Sequence, residues 1–150
     1  MRAPDPNYRQ VVEDGFREAA FLTDLGIKLV DFGPGWCESS LRIHPRHLQH
    51  TGVIHAGVQA TLADHTAGGA AMSVTPAHEY ILTLEFKLHL LRPGKGEELR
   101  CCAHVLKPGK AFHVVESEVF AMAGDKKTLI SKLTATMAVL PREQGDSTGM

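Results

Sequence analysis

A long run of small and apolar residues with one carboxylate inside it limits what this chain can fold into. The segment HLQHTGVIHAGVQATLADHTAGGAAMSV spans His47 to Val74 and has the composition of a helix that is buried on nearly all sides. Asp64 and His65 stand in its middle. Burying an unpaired carboxylate costs on the order of several kcal/mol or forces it to bind a proton. Asp64 therefore needs either a local partner, such as His65 or an arginine, or a chemical use.

The periodicity of apolar residues predicts the elements up to and including this segment. Residues 7–22 predict an amphipathic helix with an apolar stripe at Val12, Phe16 and Ala20. The stretch LGIKLVDFGPGWCESSLRI predicts a hairpin that turns at Gly33-Pro34-Gly35. The small-residue segment predicts a helix over about 56–74.

After this helix the apolar period changes to two, which is typical of strands. In YILTLEFKLHLL the leucines and Phe86 alternate with polar residues, so the apolar face is expected to pack on the helix. Thr83 then falls on the polar face, away from the helix. Three further strands are predicted near 99–106, 112–121 and 129–140, and the turn-like sequences KPGK and AGDKK separate them.

This order of elements predicts an α+β protein. An antiparallel sheet of about six strands would wrap around one long central helix, with an additional helix at the N-terminus. The small residues of the central helix would let a curved sheet approach it closely. Residues 1–140 are predicted to form a single domain, and residues 141–150 are polar and predicted to be disordered.

Composition narrows the classes of partner. The net charge is −1, so no strong field recruits nucleic acid or an anionic membrane. The first twenty residues hold no apolar stretch of signal-peptide length, and charge interrupts the central segment as a membrane span. The 3 cysteines, an odd number with two adjacent, favour reduced thiols over a disulfide framework. A cytoplasmic location is expected.

The motif QHTGVIHAGVQATLADHTAGGAA resembles that of the PaaI-type (phenylacetate-pathway-like) acyl-CoA thioesterases of the hotdog superfamily. Those proteins carry an Asn, a His-Gly-Gly six residues later, and an Asp on the helix nine residues after the His. His55 and Asp64 reproduce the last spacing. The resemblance extends to TLEFKLHLLRPGKG and covers about residues 8–140. It implies the hotdog fold and hydrolysis of an acyl- or aryl-coenzyme A to the free acid and CoA, with no cofactor.

The resemblance also implies roles for individual residues. Asp64 would act as a general base on water or as a nucleophile, and His55 would orient the loop or polarise the thioester carbonyl. Amides at the start of a helix suit a developing oxyanion, so the Ala56 N–H, with or without that of Gly57, is the expected donor. Ala56 stands where the family has the first glycine and Gln49 where it has Asn. Thr83 stands where the family has a Ser or Thr that holds water near the carboxylate.

The spacing of His55 and Asp64 carries its own argument for a dimer. On one straight helix, nine residues place these side chains on opposite faces and about 13 Å apart along the axis. Side chains cannot bridge that distance, so a site that uses both residues takes them from two chains. A homodimer with two interface sites follows from two-fold symmetry, and the resemblance adds a dimer-of-dimers tetramer.

Substrate contacts beyond the reacting group are less constrained by the sequence. Four cations flank two Pro-Gly turns and are either partners of the CoA phosphates or solvated hairpin charges: Arg92, Lys95, Lys107 and Lys110. Four residues are candidates for setting the length of the acyl pocket: Trp36, Val58, Leu62 and Phe86. Aryl and medium-chain fatty acyl groups both remain open.

Other functions stay open beside the thioesterase. A non-catalytic hotdog module would bind acyl-CoA as a sensor, and a hotdog dehydratase would act on a hydroxyacyl or enoyl thioester. The histidines at 44, 47, 50 and 55 suggest a metal site only weakly, because no carboxylate or cysteine accompanies them at ligand spacing. No metal is expected, and the three cysteines are interpreted as sheet or core residues.

Overall fold

The computed structural model describes residues 1–143. Two short helices are followed by a hairpin, a single 3₁₀ turn, one long helix and four long strands. In chain order these are α1 (Tyr8–Arg17), α2 (Ala20–Leu25), β1 (Ile27–Gly33), β2 (Trp36–Arg42), the 3₁₀ turn (Pro45–His47), α3 (Ala56–Met72), β3 (Glu79–Leu90), β4 (Glu98–Pro108), β5 (Phe112–Ala123) and β6 (Lys126–Pro141). The predicted tail, 141–150, lies outside the described residues from 144 onward.

The six strands form one antiparallel sheet in the order β1-β2-β4-β5-β6-β3. Helix α3 crosses one face of this sheet and contacts all six strands. The predicted α+β architecture, with six strands around one long helix, is therefore confirmed. Among residues 1–143, no helix combines the length and apolar character that crossing a membrane requires.

Small residues let α3 lie close to the sheet. Ala63, Ala67 and Ala70 are completely buried, so much of the helix surface that meets the strands carries only methyl groups, beside the larger buried side chains of Leu62 and Thr66. Gly69 marks the closest approach, because an added Cβ would stand 2.8 Å from Cys37 Sγ on β2 and 3.1 Å from Phe16 on α1. The same glycine therefore accommodates the sheet on one side and the N-terminal helix on the other.

The predicted N-terminal helix is present, but its predicted bounds, 7–22, are wrong, because two helices occupy this region. Helix α1 ends at Arg17 and the chain is extended at Ala19, where φ is −76° and ψ is 95°. Phe16 and Leu22 are both buried, at 5% and 4% exposure. Six residues along one straight helix point about 120° apart, so the break allows both side chains to reach the core.

The predicted orientation of β3 is also wrong in its first half. Leu82 and Leu84 are 55% exposed, whereas Thr83 faces α3. The pairing of β3 with β6 shifts between Thr83 and Glu85, so Leu84 is an extra residue in a β-bulge. Beyond this bulge the alternation is inverted, and Leu88 packs against the core as predicted. Because the alternating leucines continue through the bulge, the sequence does not reveal that the strand changes the face it turns toward the helix.

The close contact at Gly69 predicts opposite effects for two adjacent substitutions. Gly69→Ala places a methyl group against Cys37 and Phe16 and should lower the free energy of unfolding by about 1–3 kcal/mol. Gly68→Ala meets only Ile81 Cδ1, at 3.7 Å, and should raise that free energy by up to about 1 kcal/mol through helix propensity. Urea unfolding of both variants tests this. Equal effects would show that the helix does not approach the sheet as described.

Candidate active site

Asp64 has a specific partner on the neighbouring strand. The Thr83 hydroxyl donates a hydrogen bond of 2.9 Å to Asp64 Oδ1. Burial raises the pKa of the Asp64 carboxyl, while the Thr83 hydrogen bond and the nearby His65 oppose this change. A carboxylate with a raised pKa is a stronger base than an ordinary surface aspartate. The local partner is thus Thr83 rather than His65 or an arginine, and the bulge in β3 is what points Thr83 at Asp64.

His65 connects α3 to α1 instead of pairing with Asp64. Its Nε2 lies 3.1 Å from the Gly15 carbonyl oxygen, and its ring packs edge-on against Phe16 with centroids 4.6 Å apart. Burial lowers the pKa of His65. A neutral ring that donates Nε2–H to a carbonyl holds the two helices together without burying a charge. From the sequence, His65 was predicted only as a possible partner of Asp64.

Two cavities meet at Asp64. The first, of about 150 Å³, lies between α1, α3 and β3 and has Phe16, Gly68 and Thr83 among its lining residues. The second, of about 210 Å³, lies between α2, α3 and Phe86 of β3. Asp64 and His65 line both cavities. The carboxylate therefore stands beside a cavity on each side, and both cavities are partly open to solvent.

Three of the four residues predicted to shape the acyl pocket lie away from the two cavities beside Asp64. Val58 and Leu62 are buried in the core, at 8% and 0% exposure, and Trp36 begins β2. Neither cavity beside Asp64 is lined by these three side chains, whereas Phe86 lines the second of them. Helix α1 supplies the wall that the sequence analysis missed. A signal was present in its buried apolar stripe, but the stripe alone does not reveal what the helix packs against.

The start of α3 presents one amide donor. His55 is the N-cap, and its Nδ1 accepts a hydrogen bond of 2.8 Å from the Gly57 N–H. The backbone N–H of His55 donates to the His47 carbonyl at 2.9 Å. Among residues 1–143, the Ala56 N–H has no hydrogen-bond acceptor. Of the two predicted oxyanion donors, Ala56 is thus available, while the Gly57 N–H is engaged by His55.

Gln49 lies with Ala56 in a third cavity, of about 420 Å³, beside the end of β3. The side-chain amide of Gln49 donates to the Thr51 hydroxyl, and its backbone N–H donates to the Val53 carbonyl at 2.8 Å. Gln59, which the sequence analysis did not single out, also lines this cavity and is 3% exposed. In the sequence, only its position three residues after Ala56 indicated that Gln59 could lie in the same cavity.

A single chain does not bring all predicted catalytic residues together. Asp64 and Thr83 line one set of cavities, whereas Gln49 and Ala56 line another. Ala56 and Asp64 are eight residues apart on α3, about 12 Å along its axis. The half-buried residues on the helix face between them are small: Ala60 and Thr61. Each chain therefore carries two separate halves of the predicted site.

The four predicted CoA contacts lie at opposite ends of the sheet, and all four are exposed. Arg92 and Lys95 follow β3, and the Arg92 guanidinium donates to the Leu129 carbonyl at 2.8 Å while lining the cavity of Gln49 and Ala56. Lys107 and Lys110 belong to the hairpin between β4 and β5. The register of β5, β6 and β3 places that hairpin near the start of β3.

The remaining titratable clusters do not resemble reactive centres. Within residues 1–143, no group of three His, Cys, Asp or Glu side chains is placed to hold a metal ion. Both ring nitrogens of His47 are hydrogen-bonded, to the His44 N–H and the Leu25 carbonyl. Burial raises the pKa of Cys37, and it raises that of Cys101 to about 12. Thiols with such pKa values are poor nucleophiles at neutral pH.

Comparison with known proteins identifies the family of this chain. Residues 51–127 match the family described as the Thioesterase superfamily. Human acyl-coenzyme A thioesterase 13 is 29% identical over 114 residues, which cover 75% of this chain and 81% of that protein. The solved structure of a thioesterase family protein from Silicibacter pomeroyi is 31% identical, with a TM-score of 0.88 over 90% of this chain and 99% of that chain. A conserved Pseudomonas aeruginosa protein is 34% identical, with a TM-score of 0.74 over 81% and 94%.

The antiparallel sheet around a long helix is the hotdog fold, and the family match makes this protein a thioester hydrolase. The chain belongs to the thioesterase superfamily.

The hydrogen bond from Thr83 predicts a measurable shift at Asp64. Thr83→Val keeps the side-chain shape but removes the hydroxyl that stabilises the carboxylate, so the pKa of Asp64 should rise further. Thr83→Ser retains the hydroxyl and should leave this pKa close to that of the wild type. NMR titration of the Asp64 carboxyl carbon in the three proteins measures the effect. An unchanged pKa in Thr83→Val would mean that the hydrogen bond is not formed in solution.

Proposed function

We propose that this protein hydrolyses the thioester of acyl-coenzyme A at a site shared by two copies of the chain. The observation that carries the proposal is the position of Asp64, a half-buried carboxylate held by Thr83 beside two cavities. Its pKa is raised by burial, as suits a base that works near neutral pH. The similarity to human acyl-coenzyme A thioesterase 13 supports coenzyme A as the carrier.

The chemistry requires a base and an oxyanion donor on either side of the thioester carbon. Asp64 takes a proton from a water molecule whose oxygen attacks the carbonyl carbon, or its carboxylate attacks the carbon directly to form an anhydride that water then cleaves. In both routes the carbon–sulfur bond breaks and coenzyme A leaves as the thiolate. The Ala56 N–H, at the positive end of the α3 dipole, stabilises the negative carbonyl oxygen. Gln49 and His55 orient the substrate beside this amide.

A homodimer joined along β3 would complete the site. Strand β3 is a sheet edge of 12 residues, and its exposed side chains include Leu82, Leu84 and Leu90, each at least 54% exposed. A long exposed edge strand with apolar side chains tends to pair with another strand. The same strand of a second copy would extend the sheet. In each chain, Ala56 lies near the end of β3 and Asp64 lies near its first half. Antiparallel pairing of two copies of β3 would therefore bring Ala56 of one chain toward Asp64 of the other.

This arrangement also gathers the cations proposed for the CoA phosphates. Arg92 and Lys95 lie near the end of β3, and Lys107 and Lys110 lie near its start. Antiparallel pairing of two copies brings the two pairs to the same end of the joined sheet. Four positive charges from two chains then face one diphosphate-bearing substrate. A dimer-of-dimers tetramer, which the motif resemblance implies, would need a second interface beside the one along β3.

The finer classification rests on the sequence motif. We assign the chain to the PaaI-type group because His55 and Asp64 keep the nine-residue spacing of that group. A cytoplasmic location fits the composition. The sensor and dehydratase alternatives predict no thiol release, whereas the proposed thioesterase predicts rapid release, so one assay separates them.

Removing the Asp64 carboxylate should abolish most activity. Asp64→Asn is expected to lower kcat for acyl-CoA hydrolysis by at least about a hundredfold, the low end of a general-base contribution. Asp125→Asn, in the exposed turn between β5 and β6, is the matched control and should keep wild-type activity. Thiol release measured with a colorimetric reagent reports both. Equal rates in Asp64→Asn and wild type would reject the assigned role.

The acid side of the pH profile should report on the same carboxyl. Burial raises the pKa of Asp64, and the reaction needs its ionised form. The rate should therefore rise with pH through a midpoint above the ordinary aspartate value of about 3.9. Single-turnover rates between pH 4 and pH 8 test this. A rate that is independent of pH over the whole range would contradict a base at this position.

A mixing experiment tests whether the site is shared. Ala56→Pro deletes the proposed oxyanion N–H at the first helical position, where proline is well accepted, and His55 is already extended as a residue before proline must be. This variant should lose about 10²–10³ in kcat. Mixed with Asp64→Asn, it forms dimers in which one site has both wild-type groups. A random equimolar mixture should regain about a quarter of wild-type activity. No recovery, despite verified subunit exchange, would place the site within one chain.

A further inference from the structure

Gln59 is a buried polar side chain near the start of α3, close to the Ala56 amide. It is 3% exposed and lines the same cavity as Ala56. Its Nε2 donates a hydrogen bond of 3.3 Å to the Ile54 carbonyl oxygen. Its backbone N–H donates at 3.3 Å to the His55 carbonyl oxygen. One residue therefore contacts the two consecutive carbonyl groups that precede the Ala56 N–H.

These contacts fix the direction of the Ala56 N–H. A peptide group is planar, so the His55 carbonyl and the Ala56 N–H lie in one plane and point in opposite directions. Gln59 holds the preceding peptide plane through the Ile54 carbonyl. At the other end of that plane, the His55 N–H donates to the His47 carbonyl at 2.9 Å. Only the φ and ψ angles of His55, −60° and 137°, join the two planes, so the orientation of the Ala56 N–H is held as well.

Gly94 leaves the space that this contact needs. A Cβ added at Gly94 would stand 3.2 Å from Gln59 Nε2 and 3.0 Å from Ile54 Cβ. The Gly94 carbonyl accepts a hydrogen bond of 2.9 Å from the Ile54 N–H. The Ile54 backbone is thus held on two sides, by the loop after β3 and by Gln59 on α3.

The oxygen of the Gln59 amide weakens the fold. In the part of the chain that the structure describes, residues 1–143, Gln59 Oε1 is buried and has no hydrogen-bond partner. Rotating the amide by half a turn would place Oε1 against the Ile54 carbonyl oxygen, acceptor against acceptor. A buried amide oxygen without a partner is less favourable than an apolar side chain of the same length. Folding stability alone therefore does not account for glutamine at this position.

We propose that Gln59 is a positioning residue for thioester hydrolysis, which holds the two peptide groups before Ala56 so that the Ala56 N–H points at the developing oxyanion. The proposal rests on the proposed function, in which this amide is the oxyanion donor. Gln59 acts through the backbone and not by contact with the thioester. A donor that is already oriented stabilises the transition state without reorganisation, so its misplacement lowers the rate more than it weakens substrate binding.

Gln59→Met tests this role, because methionine has a similar length and volume but no amide. For the faster of hexanoyl- and benzoyl-CoA, kcat should fall by about tenfold to a hundredfold, while KM stays within about threefold of the wild-type value. The urea midpoint of unfolding should equal or exceed that of the wild type, because the variant removes a buried oxygen that has no partner. Gln59→Leu should give the same result and replaces the methionine variant if that variant does not fold.

Ser131→Ala is the matched control. Ser131 on β6 is completely buried, and within residues 1–143 its Oγ also has no hydrogen-bond partner. Removing this hydroxyl should likewise maintain the urea midpoint. Wild-type kcat is expected, because Ser131 makes no contact with the peptide groups before Ala56.

A double variant tests whether Gln59 acts through the Ala56 amide. Ala56→Pro lacks this N–H, so adding Gln59→Met should lower kcat by less than about a further twofold. A further loss as large as in the wild-type background would overturn the proposal. It would also be overturned by wild-type kcat in Gln59→Met, or by a lower kcat accompanied by a lower urea midpoint, as a merely structural role would produce.

Hydrogen exchange separates this proposal from the proposed function. The His55 N–H belongs to the peptide group that Gln59 holds, so its exchange measured by NMR should quicken by about tenfold in Gln59→Met and stay unchanged in Ser131→Ala. Faster exchange in a protein whose wild type releases no thiol would reject the thioesterase function and retain the role of Gln59 in holding the loop. Thiol release by the wild type, with unchanged exchange and kcat in Gln59→Met, would retain the function and reject the positioning role.

Discussion

The close approach of α3 to the sheet is the constraint on which the rest of this structure depends. A helix whose inner surface is rich in alanine and glycine lets six strands pack closely over it, and the contact of Gly69 with Cys37 and Phe16 shows how little space remains. The small side chains of the helix also leave a cavity where it faces α1 and β3. The small residues of α3 therefore account for both the dense core and the cavity beside the carboxylate.

The placement of Asp64 follows from this packing. A carboxylate on the half-buried side of such a helix loses hydration, and that loss raises its pKa. The hydroxyl of Thr83 offsets part of the cost and fixes the orientation of the carboxylate. The separation of Asp64 from Ala56 along the helix then makes the second copy of the chain part of the proposed chemistry, rather than an addition to it.

The fold was predictable because its main signals are long and local. A small-residue helix, a Gly-Pro-Gly turn and a change of period to two each occupy enough sequence to be recognised. The orientation of Thr83 was not predictable, because one bulged residue at Leu84 inverts the alternation without interrupting the leucine pattern. The break between α1 and α2 was missed for a similar reason, since burial of Phe16 and Leu22 depends on tertiary contacts. The wall of the cavity between α1, α3 and β3 depends on how α1 docks on α3, which no local pattern encodes.

The N-cap of α3 has a consequence for the chemistry of His55. Its Nδ1 accepts the Gly57 N–H, so in the neutral imidazole the proton must reside on Nε2. A backbone amide two residues away therefore selects the tautomer of this ring. The exposed edge of the imidazole offers a proton rather than a lone pair to any group that approaches the helix end, and the capping bond thereby makes His55 an electrophilic neighbour of the Ala56 amide instead of a competing base.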